Sequence, residues 1–138
     1  MRKAAATALK SIAITLVLAL ALAFLAGCGS DREGGNTMVD ENGMVKVRNF
    51  DVYYKEIDRE LTLEDFRSLE SGSSFSDIEE VIGEPNGWIG SGIEAPYYSI
   101  ENGKYAILYF ENPFVCEGLK HVDIVDASRT LEVIEFDS

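Results

Sequence analysis

The rhythm of apolar and polar positions divides this chain into stretches of different kinds. From Ile12 to Phe24 the run is apolar, Thr15 aside, and carries no charge, whereas Gly29 to Gly43, "GSDREGGNTMVDENG", is almost bare of large apolar groups. At Val45 the pattern changes to rough alternation: "VKVRNFDVYY" sets β-branched and aromatic residues against polar ones and predicts a first strand. Helical spacing follows. Leu63, Phe66 and Leu69 fall on one face, Thr62 with Asp65 three residues on reads as a capping box, and Gly72 is placed to end that helix in a left-handed conformation. A second stripe comprises Phe75, Ile78, Val81 and Ile82. Ser74, or Ser76 with Glu79, is its N-cap, and Gly83 and Pro85 close it.

Beyond Pro96 the period is two. "YYSI" runs through "ENGK", whose Asn-Gly is a strong hairpin signal, into "YAILYF"; "GLKHVDIVD" and "TLEVIEF" follow. Alternation puts Tyr98, Ile100, Ala106, Leu108, Phe110, Val122 and Ile124 on the face toward the helices. The expected fold class is α+β: two short helices packed on one face of an antiparallel meander of three to five strands.

That arrangement leaves Tyr97, Tyr105, Ile107 and Tyr109 on the opposite face, near the glycine-rich "NGWIGSGIEAP" with the only tryptophan, Trp88. Tyrosine and tryptophan give large contact area for little side-chain entropy, so Trp88, Tyr97, Tyr105 and Tyr109 are the candidate protein-binding residues. Two alternatives stand beside this. Trp88 and Ile93 can fold inward over the end of the core, and Val45 to Tyr54 or the C-terminal "TLEVIEF" can cover the tyrosines and make them core.

Charge and the leader decide where the domain works. The first 27 residues hold Arg2, Lys3 and Lys10 and no acid, so their removal takes the formal charge from −12 to −15. An apolar run this short suits a secretory signal better than a permanent span. "LAGC", Leu25 to Cys28, resembles the bacterial lipobox. That likeness implies cleavage before Cys28 and a diacylglyceryl thioether on its sulfur, with acyl chains holding the protein on the extracytoplasmic side of a membrane. The expected organisation is a signal peptide over 1–27, a lipidated cysteine and flexible tether over 28–44, and a globular domain over 45–138. So acidic a chain repels nucleic acid and anionic headgroups.

Candidate chemistry is sparse. With Cys28 committed to lipid, Cys116 has no partner for an intramolecular disulfide, and its neighbours offer no base to activate it. His121 is the only histidine, which excludes histidine-rich metal sites. "DENG" lacks the alternation of a calcium loop. "SGSSFSDIEEVIGEP" has the serines and glycine of a phosphate loop, but Glu70, Asp77, Glu79 and Glu80 surround it and no Lys or Arg lies between Glu70 and Pro85. No cofactor or metal is expected. The expectation is a non-catalytic protein-interaction or envelope-scaffold module; the alternative is a carboxylate-based envelope hydrolase drawing on the 24 acidic residues.

The order "LEDFRSLESGSSFSDIEEVIGEP" followed by "YYSIENGKYAILYF" resembles the helix-helix-sheet module of small bacterial lipoproteins. That group includes the SmpA/OmlA outer-membrane assembly lipoproteins and the repeat of β-lactamase-inhibitory proteins. The likeness spans about Thr62 to Ile134 and implies the α+β fold, an envelope location and an envelope protein partner. It carries across no contact residue, and this chain has one module and no disulfide pair.

Overall fold

The computed structural model describes Thr37 to Asp137; the expected signal peptide, Cys28 and the first part of the expected tether lie outside the described residues. The fold is α+β. In chain order it has strands β1 (Met44–Val47) and β2 (Phe50–Tyr53), helices α1 (Leu63–Arg67) and α2 (Phe75–Ile82), and strands β3 (Gly87–Ser91), β4 (Ile93–Ile100), β5 (Lys104–Asn112), β6 (Glu117–Val125) and β7 (Thr130–Glu135). β3 to β7 form one antiparallel meander in sequence order, and β1 and β2 form a separate two-stranded sheet. Among the described residues no helix is long and apolar enough to cross a membrane.

The caps explain both helices. The Asp65 carboxylate accepts from the Thr62 N–H at 2.6 Å and from its hydroxyl at 3.0 Å, opening α1. At α2 the cap is Ser74 rather than Ser76: its hydroxyl accepts from the Asp77 N–H at 3.2 Å, and Asp77 accepts in return from the Ser74 N–H at 3.1 Å. Gly83 ends α2 with φ 84° and ψ −176°. That is not the left-handed helical region but the extended positive-φ region open essentially to glycine alone. Two expected positions differ. Gly72 does have positive φ, but α1 ends at Arg67, and Gly72 instead serves the turn into α2, its N–H donating to Leu119 O at 3.1 Å. Val81 is exposed, because a helix of eight residues seats only Ile78 and Ile82 fully against the sheet, with Phe75 half-buried at its start.

The sheet carries a core on each face. On the helix side Leu61, Phe66, Ile78 and Ile82 pack against Tyr98, Ile100, Ala106, Leu108, Phe110, Val122 and Ile124, the residues that alternation assigns to that face. On the other side Val45, Val47 and Val52 cover Tyr97, Tyr105, Ile107 and Val125. The cover exists because "VKVRNFDVYY" is not one strand. Arg48 and Asn49 both take positive φ, 46° and 67°, and fold the segment into a hairpin. Contacts with the β6–β7 turn hold that bend: the Arg48 and Asn49 N–H groups donate to Asp126 O and Ala127 O at 2.9 and 2.8 Å, and Asn49 Nδ2 donates to Ser128 O at 2.6 Å.

Order also begins earlier than the expected boundary at Val45. The Asp40 carboxylate accepts from the Asn42 and Met44 N–H groups at 2.8 and 2.9 Å, so "DENG" is a capped turn leading into β1. The expected loop "NGWIGSGIEAP" is likewise structured: β3 and the first half of β4 pair there as a hairpin turning at Gly92. The hairpin signal at "ENGK" produces its turn, with Asn102 and Gly103 at φ 61° and 66°.

Candidate protein-binding surface

The tyrosine face is not an open surface. Tyr97 is fully buried, its hydroxyl donating to Tyr53 O, and the Tyr105 ring meets it edge-on with centroids 5.9 Å apart. Gly87 permits this closeness: an added Cβ would strike Tyr53 O and lie 2.7 Å from the Tyr97 ring. Burial raises the pKa of both phenols, which stay neutral donors. As the sequence left open, Val45 to Tyr54 folds over the sheet; Tyr97 and Tyr105 are core.

Tyr109 sits at the margin of this cover in a polar cluster that sequence reasoning missed. Its ring stacks on His121 with centroids 4.7 Å apart and planes 19° apart. Arg48 Nη1 donates to Asp123 Oδ2 at 3.0 Å, and His121 Nε2 stands 3.8 Å from Asp123 Oδ1. Burial raises the Tyr109 pKa, and the nearby Arg48 guanidinium partly offsets it. Asp123, the buried acidic residue among those described, thus receives its cation from the turn of the β1–β2 hairpin. The β5–β6 register sets Tyr109 opposite His121 with Asp123 two residues along, and the bend at Arg48-Asn49, which no local pattern marks, adds the cation.

Four of the exposed apolar groups, Phe50, Trp88, Ile93 and Phe114, gather around the β3–β4 hairpin. Between it and the β1–β2 hairpin lies a concavity of about 200 Å³ walled by Phe50 and Ile93 and floored by Ile89, Ala95 and Tyr109. A shallower one, about 410 Å³, adjoins it and shares Ile93, Glu94 and Pro113, with Trp88 and Phe114 on its far side. Phe50 is 52% exposed, Ile93 48%, Trp88 40% and Phe114 82%. Trp88 lies edge-on to Phe75, centroids 5.2 Å apart, so one side of its indole packs against the start of α2 while the rest faces solvent. Of the four expected binding residues, Trp88 and Tyr109 line this surface and Tyr97 and Tyr105 do not. Phe50, Ile93 and Phe114 join it; isolated apolar residues in three distant segments give no periodic signal.

The other chemical candidates have structural surroundings. Cys116 is half-buried, its Sγ 3.7 Å from Pro113 O, and burial raises its pKa. Asp40, Asp77 and Asp126 have pKa values lowered by hydrogen bonds they accept locally. Among the described residues no group of three or more His, Cys, Asp or Glu side chains is placed to hold a metal. No protein family, curated protein or solved structure matches this chain.

Proposed function

We propose that this chain is a lipid-anchored extracytoplasmic lipoprotein whose domain works as a non-catalytic protein-interaction or envelope-scaffold module. The observation that carries the interaction role is the apolar concavity between the two hairpins, joined to a shallower one of mixed polarity. Large apolar groups from β2, β3, β4 and the β5–β6 turn stay partly in water around these two adjoining depressions, although two cores lie close by. Such patches mark contact sites. The anchor rests on the apolar leader and on "LAGC" at Leu25 to Cys28, and the likeness to SmpA/OmlA lipoproteins rests on the helix-helix-sheet order. The hydrolase alternative gains little, since Asp123 is held by Arg48 and the shifted carboxylates shift toward the ionised form.

Two measurements test the proposal. Cys28→Ser is expected to abolish labelling by a fatty-acid probe; unchanged labelling overturns the anchor. The double variant Phe50→Ser/Ile93→Ser is expected to melt within about 1 kcal/mol of the parent, since both side chains are half exposed. It should also lose the proteins that the parent recovers from detergent-solubilised native membranes. Undiminished recovery by a folded double variant overturns the concavity as the contact site.

A further inference from the structure

The five-stranded sheet ends in two edges that differ. The β3 edge is blunted: it is five residues long and holds two glycines, with Gly90 at φ 146°, and its start is covered where Lys55 N–H donates to Asn86 O at 2.7 Å. The β7 edge, "TLEVIE", is six residues, rich in β-branched side chains, without glycine or proline, and among the described residues no strand pairs with its outer side. Leu131 and Val133 are exposed there. Its hydrogen-bonding direction follows from its register. Phe136 N–H donates to Lys120 O, and β6 pairs Val122 with Ile134 and Asp123 with Val133. Alternation then turns the N–H and C=O groups of Ile134 and Glu132 toward β6 and those of Val133 and Glu135 outward.

We infer that the β7 edge accepts an extended, cationic segment of a partner protein as a sixth antiparallel strand, bonded to the backbone of Val133 and Glu135. An open edge is a template for strand addition, in which main-chain bonds supply affinity and alternate side chains supply specificity. Charge selects the occupant. From Thr130 to Asp137 there are three acids and no Lys or Arg, and the only ion pair made there among the described residues is Glu132 with Arg67 at 2.9 Å. A second copy is a poor fit. Pairing Val133 with itself sets Glu135 against Leu131, supplies no cation, and joins two chains of formal charge −12. This inference rests on the reading of the domain as an interaction module, but at the opposite edge of the sheet from the concavities.

The test uses the full chain in non-ionic detergent and the peptide KVVKVT, which sets Lys opposite Glu135 and Glu132 and Val opposite Val133. Saturable binding that weakens with salt is expected, with slowed amide hydrogen exchange at Val133 and Glu135. The acidic peptide EVVEVT should produce neither. Val133→Pro removes an outward N–H and spares the bonds to β6, so it should weaken binding at least about tenfold with the fold kept. Should that variant fail to fold, Glu135→Lys, at an exposed position, must weaken binding several-fold instead. Equal binding of the two peptides, or binding indifferent to the variants, overturns the inference. A dimer that Val133→Pro dissolves also overturns it, by giving the edge to a second copy. Peptide binding kept in Phe50→Ser/Ile93→Ser, with native partners still recovered, supports this edge and sinks only the concavity.

Discussion

At Gly83 two independent demands meet on one residue. Its φ of 84° with ψ −176° is closed to other residues, and an added Cβ would stand 2.8 Å from Arg59 Nη1. That guanidinium is in place because it donates to Ile82 O at 3.0 Å, satisfying a carbonyl at the end of α2, and lies 5.1 Å from the centre of the Tyr98 ring. Gly83→Val therefore disturbs the backbone and unseats Arg59 together, for a loss of about 2–4 kcal/mol. Gly72, also at positive φ, has open space around its Cβ position, so Gly72→Ala should cost only about 1 kcal/mol. Denaturant melts of the two variants measure the difference; equal losses would mean that Arg59 does not hold the helix end. The sequence marks Gly83 as a stop, but Arg59, 24 residues earlier, carries no sign of its part in it.

At the scale of elements, what was legible depended on whether a signal was local. Caps, the Asn-Gly turn and the alternation of β4 to β6 are set by neighbouring residues, and the helix-facing core follows from them residue by residue. The bend at Arg48-Asn49 was not legible, because its left-handed backbone is held by carbonyls of Asp126 and Ala127 that only the folded chain brings near. Local carboxylate contacts also set an acid limit on these elements. Asp77 receives the Ser74 hydroxyl and N–H at the start of α2; Asp126 receives the Ser128 and Arg129 N–H groups in the β6–β7 turn; Asp40 receives two N–H groups before β1. All three pKa values are lowered from 3.8, so the stability they contribute is present above that value and is lost as pH falls through the folded-state values. Denaturant midpoints should therefore be flat near neutrality and fall below about pH 4, with a smaller fall in Asp126→Asn. A variant curve parallel to the parent's would exclude that turn from the acid response.

The described part of the molecule is layered: helices, a five-stranded sheet, and a two-stranded cover. The third layer changes what the tyrosines are for. With the sheet's far face bare, Tyr105 and Tyr109 would be contact residues, and removing them would cost binding and little stability. With the hairpin seated, Tyr105 is 4% exposed and packs edge-on against Tyr97 beneath Val45 and Val47. Tyr109 in turn stacks on His121 beside the Arg48–Asp123 pair that fastens the hairpin to β6. Replacing a buried aromatic ring by a small residue costs about 3–5 kcal/mol through lost burial and the void left behind. The double variant Tyr105→Ser/Tyr109→Ser should thus lose at least about 4 kcal/mol, a large part of the stability of a domain this size. It should also expose β1 and β2 amides to exchange before those of β4 to β6, because the lost rings lie between cover and sheet. A double variant with the parent's melting temperature would mean that the hairpin does not rest on the sheet in solution, and the tyrosine face would return as a surface open to a partner.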